Sequence, residues 1–137
     1  MCTLLLKKYM FFHFTHMQSD AHLLAILFAH NAVEIWDSQT KRALFRINCD
    51  ESCILYSGAL HGPSLASLEI ASGTVFNQVL HWKYSDQGRV FRRLSGHKGA
   101  IHGVLFDNEG NHILSCSDDR SIRIWDRQGY ALFWYLH

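Results

Sequence analysis

The chain alternates between short apolar or alternating runs and short polar turns. The clearest stretch is "SCSDDRSIRIWD", residues 115–126, in which the polar turn "DDR" separates two strand-like runs. Four consecutive strands are predicted by the runs "AIHGVLF" (100–106), "HILSCS" (112–117), "SIRIW" (121–125) and "YALFWYL" (130–136). The turn after the first of these runs is "NEG", residues 108–110. Helical periodicity is absent throughout, so the pattern predicts an all-β fold.

Two further groups of strands lie upstream. The middle group is "CILYSG", "SLASLEIA" (64–71), "TVFNQVLHW" (74–82) and "RVFRRL". The first group is "HLLAILF", "AVEIW" and "ALFRI", with "YMFFHFT" as a possible innermost strand. Each group therefore predicts one four-stranded antiparallel sheet.

A repeat connects the three groups. The segments "AVEIWD" (32–37), "QVLHWK" (78–83) and "SIRIWD" (121–126) place Trp36, Trp82 and Trp125 at intervals of 46 and 43 residues. A strand-rich repeat of about 40–45 residues with Gly-His and Trp-Asp is typical of a WD40 propeller blade. We therefore predict an incomplete WD40 β-propeller of about three blades over residues 23–137. The blades are expected at about 10–47, 53–94 and 100–136, and residues 1–22 as an irregular or strand-forming N-terminus.

The last blade contains the residues of a buried hydrogen-bond network. A buried imidazole needs partners for both ring nitrogens, and a buried indole N–H needs an acceptor. His97 in "SGHKG", Ser115, Asp119 and Trp125 supply these groups at a spacing that allows two strands and their turns. We predict that they form a structural tetrad, with Ser117 as a second candidate for the serine.

The same residues allow one alternative interpretation, a catalytic site. A hydrolase triad of Ser115, His97 and Asp119 is disfavoured because it would leave Trp125 unexplained and no G-x-S-x-G elbow is present.

The blade-end tryptophans Trp36 and Trp82 lack the Asp six residues earlier. Those blades are expected to hold by apolar packing alone, or to be divergent members of a larger array.

Composition and charge exclude several classes of protein. The formal net charge of +1 and the 48% of hydrophobic residues argue against a disordered or strongly nucleic-acid-binding chain. A basic cluster comprises Arg89, Arg92, Arg93 and Lys98. A phosphate-binding patch is one interpretation of it, but a charged outer edge strand is favoured.

No metal, cofactor or membrane segment is predicted. The pairs His13/His16 and Cys49/Cys53 fall in different elements and do not form two ligand pairs of a zinc site. No phosphate-binding glycine loop occurs, and no apolar run reaches the roughly 18 residues of a transmembrane helix. The four scattered cysteines indicate free thiols in a reducing compartment, and we expect a cytoplasmic protein.

The quoted residues resemble a known family. The stretch "SGHKGAIHGVLFDNEGNHILSCSDDRSIRIWD" resembles a WD40 repeat over its whole length. Residues 23–126, and "IASGTVFNQVLHW" in particular, resemble consecutive N-terminal blades of the WD repeat-containing protein 6 family.

This resemblance implies a non-catalytic partner of a FtsJ-type tRNA methyltransferase, which methylates the ribose 2′-hydroxyl at the anticodon wobble position. In that family the methyltransferase holds S-adenosylmethionine, so no catalytic or cofactor-binding residue is expected here, and tRNA is reached through the complex. The alternative is a generic WD-repeat scaffold for protein–protein interaction. Closed propellers typically have 4–8 blades, so we expect a fragment, a truncated gene model or a short isoform.

Overall fold

The computed structural model describes residues 11–16, 23–29, 32–37, 40–49, 55–63, 65–87 and 89–135. Within these ranges twelve strands form three four-stranded antiparallel sheets, and two single-turn 3-10 helices lie at Leu65–Ser67 and Tyr84–Asp86. The prediction of an all-β fold of three four-stranded blades is confirmed.

In every sheet the strands lie side by side in chain order. The first sheet comprises β1 (Phe11–His16), β2 (Leu23–Ala29), β3 (Ala32–Asp37) and β4 (Arg42–Asn48). The second comprises β5 (Leu55–His61), β6 (Glu69–Thr74), β7 (Gln78–Lys83) and β8 (Val90–Ser95). The third comprises β9 (Ile101–Phe106), β10 (His112–Ser117), β11 (Ser121–Asp126) and β12 (Ala131–Tyr135). The blade limits given above stay a prediction, and most of segment 1–22 lies outside the described residues.

The second sheet corrects two details of the predicted strands. Residues 64–71 and 74–82 are not continuous strands: a 3-10 helix precedes β6, and a tight turn separates β6 from β7. At this turn Thr74 Oγ1 donates to the Gln78 carbonyl (2.9 Å) and accepts from the Phe76 N–H (3.2 Å). Asn77 takes a left-handed φ of 69°, a conformation that asparagine tolerates better than most residues. A threonine in an apolar run thus ends one strand and organises the hairpin.

The second and third sheets pack face to face through one apolar cluster. The second sheet contributes Ala59, Ala71, Val79 and Leu94, and the third contributes Ile101, Val104, Ile113 and Trp125. A methyl group at Gly73 would lie 2.6 Å from Ile101 Cγ2, so the absence of a side chain there allows β9 to approach. Ser57 Oγ donates to the Ile101 carbonyl at 3.1 Å, and this hydrogen bond fixes the position of β9 relative to the second sheet.

A second cluster joins the first and second sheets. It contains Val33 and Ile35 of β3 together with Leu55, Ile70 and Trp82 of the second sheet, all with 0% exposure. Burial of aliphatic and aromatic surface on this scale, at about 25 cal/mol per Å², is the main force that holds neighbouring blades together.

Candidate functional site

The third blade brings the four predicted network residues together. His97 precedes β9, Ser115 lies on β10, Asp119 is in the β10–β11 turn and Trp125 is on β11. His97 Nδ1 lies 2.9 Å from Asp119 Oδ2, and His97 Nε2 lies 2.8 Å from Ser115 Oγ. Trp125 Nε1 donates to the same Ser115 oxygen at 2.8 Å. The network therefore runs from the turn through the imidazole and the hydroxyl to the indole.

The hydrogen-bond donors and acceptors around His97 fix its tautomer. The Asp119 carboxylate can only accept, so the proton of a neutral imidazole lies on Nδ1. His97 Nε2 then accepts from the Ser115 hydroxyl, whose oxygen in turn accepts from Trp125. The side-chain polar atoms of His97, Ser115 and Trp125 thus all have partners, and such networks specify one packing arrangement.

Ser121 is a member of the network that sequence reasoning missed. Its hydroxyl donates to Asp119 Oδ1 at 2.6 Å and lies 3.1 Å from His97 Nδ1. Its backbone N–H also donates to Asp119 Oδ1, at 2.9 Å. The available signal was an Asp with a Ser two residues later, which is the pattern of an Asx turn.

The other serine candidate has a different role. Ser117 Oγ donates to the Gly99 carbonyl at 2.9 Å and accepts from the Asp119 N–H at 3.3 Å. Ser117 thus closes the loop that holds Asp119, and of the two predicted candidates it is Ser115 that contacts the imidazole.

Asp119 is held as a carboxylate. Partial burial would raise the pKa of this carboxyl, but hydrogen bonds from the Ser121 hydroxyl, the Lys98 N–H and His97 outweigh it. The Lys98 N–H donates to Asp119 Oδ2 at 2.8 Å. These donors hold the pKa well below its ordinary value of 3.8, because each of them favours the charged form.

Burial decides between the structural and the catalytic interpretation of this network. The His97 side chain has 0% exposure, and Ser115 has 2%. A nucleophile must reach a substrate carbonyl, whereas the Ser115 oxygen is enclosed by His97 and Trp125. The geometry therefore favours a network that positions strands.

The blade-end tryptophan of the second sheet sits in an incomplete copy of this network. Ser72 precedes Trp82 by ten residues, as Ser115 precedes Trp125. Both Ser72 Oγ and Trp82 Nε1 are buried, and within the described residues neither has a hydrogen-bond partner. The second blade thus keeps the serine and the indole but has Phe76 in the place of the aspartate.

Polar contacts in the first and second blades contradict the first of the two alternatives, that these blades hold by apolar packing alone. The second, that they are divergent members of a larger array, stays a prediction. In the first blade, Trp36 Nε1 donates to Glu34 Oε2 at 3.1 Å, and Arg46 pairs with Glu34 Oε1 at 2.5 Å. Glu34 is 5% exposed, so this carboxylate is a buried polar group with partners on two strands. Sequence reasoning missed it because it considered only the His/Asp positions of the third blade.

A polar contact also joins the second blade to the third. His81 Nε2 lies 2.9 Å from Glu69 Oε2, and Arg127 Nη2 donates to Glu69 Oε1 at 2.5 Å. Burial lowers the pKa of His81 below 6.5, and the hydrogen bond to Glu69 only partly opposes it. His81 is therefore a neutral imidazole between two sheets at pH 7.

Other functional groups of interest are few in the described part of the chain. No three His, Cys, Asp or Glu side chains in these ranges are grouped as metal ligands, and Cys53 lies outside them. Cys49 and Cys116 are free thiols. No helix among the described residues is long and apolar enough to cross a bilayer.

Comparison with known proteins agrees with this geometry. The family model for the WD domain, G-beta repeat, matches residues 88–126, which contain the whole hydrogen-bond network. A solved structure, the crystal structure of RRP9 WD40 repeats, superposes with a TM-score of 0.69 and 19% identity over 92% of this chain and 39% of that chain. The chain is a WD40-repeat protein.

Sequence comparison shows which WD40-repeat proteins this chain is similar to. A relative from Drosophila melanogaster, named tRNA (34-2′-O)-methyltransferase regulator WDR6, is 36% identical over 58% of this chain and 9% of that protein. The Homo sapiens relative of the same name is 33% identical over 108 residues, or 74% of this chain and 10% of that protein. The resemblance to the WD repeat-containing protein 6 family is thereby confirmed. The WD40-repeat chain spans about a tenth of the length of these relatives.

Proposed function

We propose that this chain supplies WD40 blades to a non-catalytic subunit that supports 2′-O-methylation of tRNA at the anticodon wobble position. The observation that carries the proposal is the 33% identity, over 74% of the chain, to relatives named as regulators of a tRNA (34-2′-O)-methyltransferase. The catalytic partner would be a FtsJ-type methyltransferase, which supplies the methyl donor site and performs the chemistry.

The network of the third blade supports a non-catalytic role. Its serine and imidazole are buried and satisfied, so they stabilise a surface without acting on a ligand. A rigid surface of this kind can position a substrate for a partner enzyme, and small errors of position reduce reaction rates strongly. The four cysteines are scattered along the sequence without the regular spacing of a disulfide framework, so we propose that the complex acts in the cytoplasm.

Co-purification tests the proposal. The tagged protein is expressed at its native level, and bound proteins are identified by mass spectrometry. Wobble-position 2′-O-methylation is then measured by nucleoside mass spectrometry in cells that lack the gene and in cells in which it has been restored. We expect a FtsJ-type methyltransferase among the bound proteins, and loss of methylation that is restored with the gene.

A matched pair of variants tests whether methylation depends on the folded third blade. Arg120→Gln removes one charge from an exposed turn and should restore methylation fully, whereas Trp125→Ala should not, because it empties the core of the third blade. Unchanged methylation in cells that lack the gene, with the methyltransferase still present, would favour the alternative of a generic WD-repeat scaffold. The bound proteins would then belong to another process.

A further inference from the structure

Two cations lie over one aromatic ring at the junction of the second and third sheets, and a third cation lies in the neighbouring turn. Lys83 Nζ lies 5.0 Å from the centroid of the Phe91 ring, and Arg92 Cζ lies 4.8 Å from it. The third cation is Arg127, in the turn between β11 and β12. We call the surface formed by Lys83, Phe91, Arg92 and Arg127 the cationic cleft.

Contacts between the sheets hold the two arginines near each other. Arg92 Nη1 donates to the Gln128 carbonyl, next to Arg127 in the chain. A methyl group at Gly129 would lie 3.7 Å from the same Arg92 nitrogen, so the turn closes directly over the guanidinium. The cleft is therefore built from both sheets and depends on their packing.

The positive charge of the cleft is only partly compensated. Glu69 is the carboxylate of the cleft, and it is already engaged by Arg127 at 2.5 Å and by neutral His81 at 2.9 Å. Within the described residues, Lys83 and Arg92 make no salt bridge. Arg92 Nε is in addition buried without a hydrogen-bond partner. Three cations against Glu69 and the Asp126 carboxylate, which caps the β11–β12 turn, leave a local net charge of about +1, which attracts an anionic ligand.

The aromatic ring indicates which anion fits. Phe91 is 48% exposed although it lies among charged side chains. Surfaces that combine cations with an accessible aromatic ring are typical of sites for single-stranded nucleic acid, where phosphates meet the cations and bases stack on the ring. An acidic peptide would use the cations but would have no use for the ring.

We propose that the cationic cleft binds the phosphodiester backbone of an unpaired RNA segment. The choice of RNA among polyanions rests on the proposed function. Lys83 and Arg92 contact phosphates, and Phe91 offers a base a stacking surface. Arg127 mainly holds the cleft in shape through Glu69.

Binding of a labelled single-stranded RNA of about ten nucleotides, measured by fluorescence anisotropy against salt concentration, tests this proposal. Each lost phosphate contact lowers the slope of log K against log salt by about 0.7 for a single strand. We expect Lys83→Gln to lower the slope by about 0.7, and Lys83→Gln with Arg92→Gln by about 1.4. Phe91→Leu should weaken binding about ten-fold and leave the slope unchanged.

Arg120→Gln is the matched control, because it removes one arginine charge from the β10–β11 turn at the other end of the third sheet. It should leave both affinity and slope unchanged. The single variant Lys83→Gln keeps the test valid if Arg92→Gln disturbs the turn at Gln128. An equal loss of slope in Arg120→Gln would overturn the proposal, as would tighter binding of a polyglutamate peptide than of the RNA.

The outcomes separate this proposal from the proposed function. If the methyltransferase co-purifies but the cleft variants bind RNA like the unaltered chain, the cleft proposal alone is wrong. If the cleft variants lose RNA binding but no methyltransferase co-purifies, the cleft proposal stands and the proposed function is wrong.

Discussion

At the scale of single residues, His97 is the centre of the third blade. It is fully enclosed, and each of its ring nitrogens has a partner at 2.8–2.9 Å. The loss of one partner leaves a buried polar atom unsatisfied, which costs about 1–3 kcal/mol. His97 and Asp119 are thus energetically coupled through one network.

We therefore expect the effects of His97→Ala and Asp119→Ala to be strongly non-additive. Asp119→Ala alone should lower the free energy of unfolding by roughly 1–3 kcal/mol. The double variant should cost clearly less than the sum of the two, because the second change removes a partner that the first has already lost. Urea denaturation of the four proteins of the cycle measures the coupling. Additive losses would contradict a shared network.

A second prediction uses two serines in equivalent places. Ser115→Ala removes the partner of both His97 and Trp125 and should cost on the order of 1–3 kcal/mol. Ser72→Ala removes a buried hydroxyl that has no partner, so its effect should be near zero or stabilising. Thermal unfolding of both variants compares them directly. Equal destabilisation would contradict a stabilising role of the Ser115 hydrogen bonds.

At the scale of elements, the contact between the second and third sheets is partly polar. The Glu69 carboxylate contacts His81 of its own sheet and Arg127 of the neighbouring sheet. Arg92 spans the same gap to Gln128. The two sheets are thus held in register at this end by charged groups around one carboxylate, next to their apolar cluster.

This contact predicts a dependence of stability on pH. The folded-state pKa of His81 lies below its unfolded value of 6.5, so the unfolded chain takes up a proton first as the pH falls. The contribution of neutral His81 to the free energy of unfolding is complete above pH 6.5. It is lost as the pH falls from 6.5 to the folded-state pKa of His81. His81→Gln keeps a hydrogen bond to Glu69 without this titration.

The free energy of unfolding of the unaltered chain should therefore decrease more steeply over this range than that of His81→Gln. Urea denaturation at a series of pH values gives both curves. Parallel curves would mean that His81 binds protons equally in the folded and unfolded chain.

The elements also show what the sequence could and could not predict. His97, Ser115, Asp119 and Trp125 could be found because they lie within one blade and their spacing is fixed by two strands. The Glu69–Arg127 contact could not, because it joins residues 58 positions apart through the packing of two sheets. The hairpin at Thr74 was missed for a local reason: its threonine favours strands by propensity but here serves a turn through its hydroxyl.

At the scale of the whole molecule, the outer face of the third sheet is apolar and uncovered by the described residues. Strand pairing places Leu105, Leu114, Ile124 and Leu132 in one row across all four strands. Leu105 is 62% exposed and Leu132 is 49% exposed. Apolar patches of this kind seldom remain bare on a monomer.

We therefore expect the isolated chain to self-associate at micromolar concentration. Leu105→Ser with Leu132→Ser should raise the monomer fraction, because it interrupts the row at both ends. Phe76→Ser is the control, since Phe76 is 60% exposed but lies in the β6–β7 turn. Light scattering coupled to size-exclusion chromatography gives the mass of each protein. A stable, cooperatively melting monomer of the unaltered chain would contradict this expectation.

The order of strands within each sheet has a consequence for how the protein is made. Every strand pairs with the one just before or after it, so no sheet has to wait for a distant part of the chain. Pairing between neighbouring strands requires only short loop closures, so the sheets can fold in stages during translation. The second blade can close on the ribosome before β9 has been synthesised, and it then provides the template on which the next blade settles. A ribosome pause between the segments for β8 and β9 would occur when the second sheet is complete. A pause before Trp125 would leave His97 without the residues that bury it.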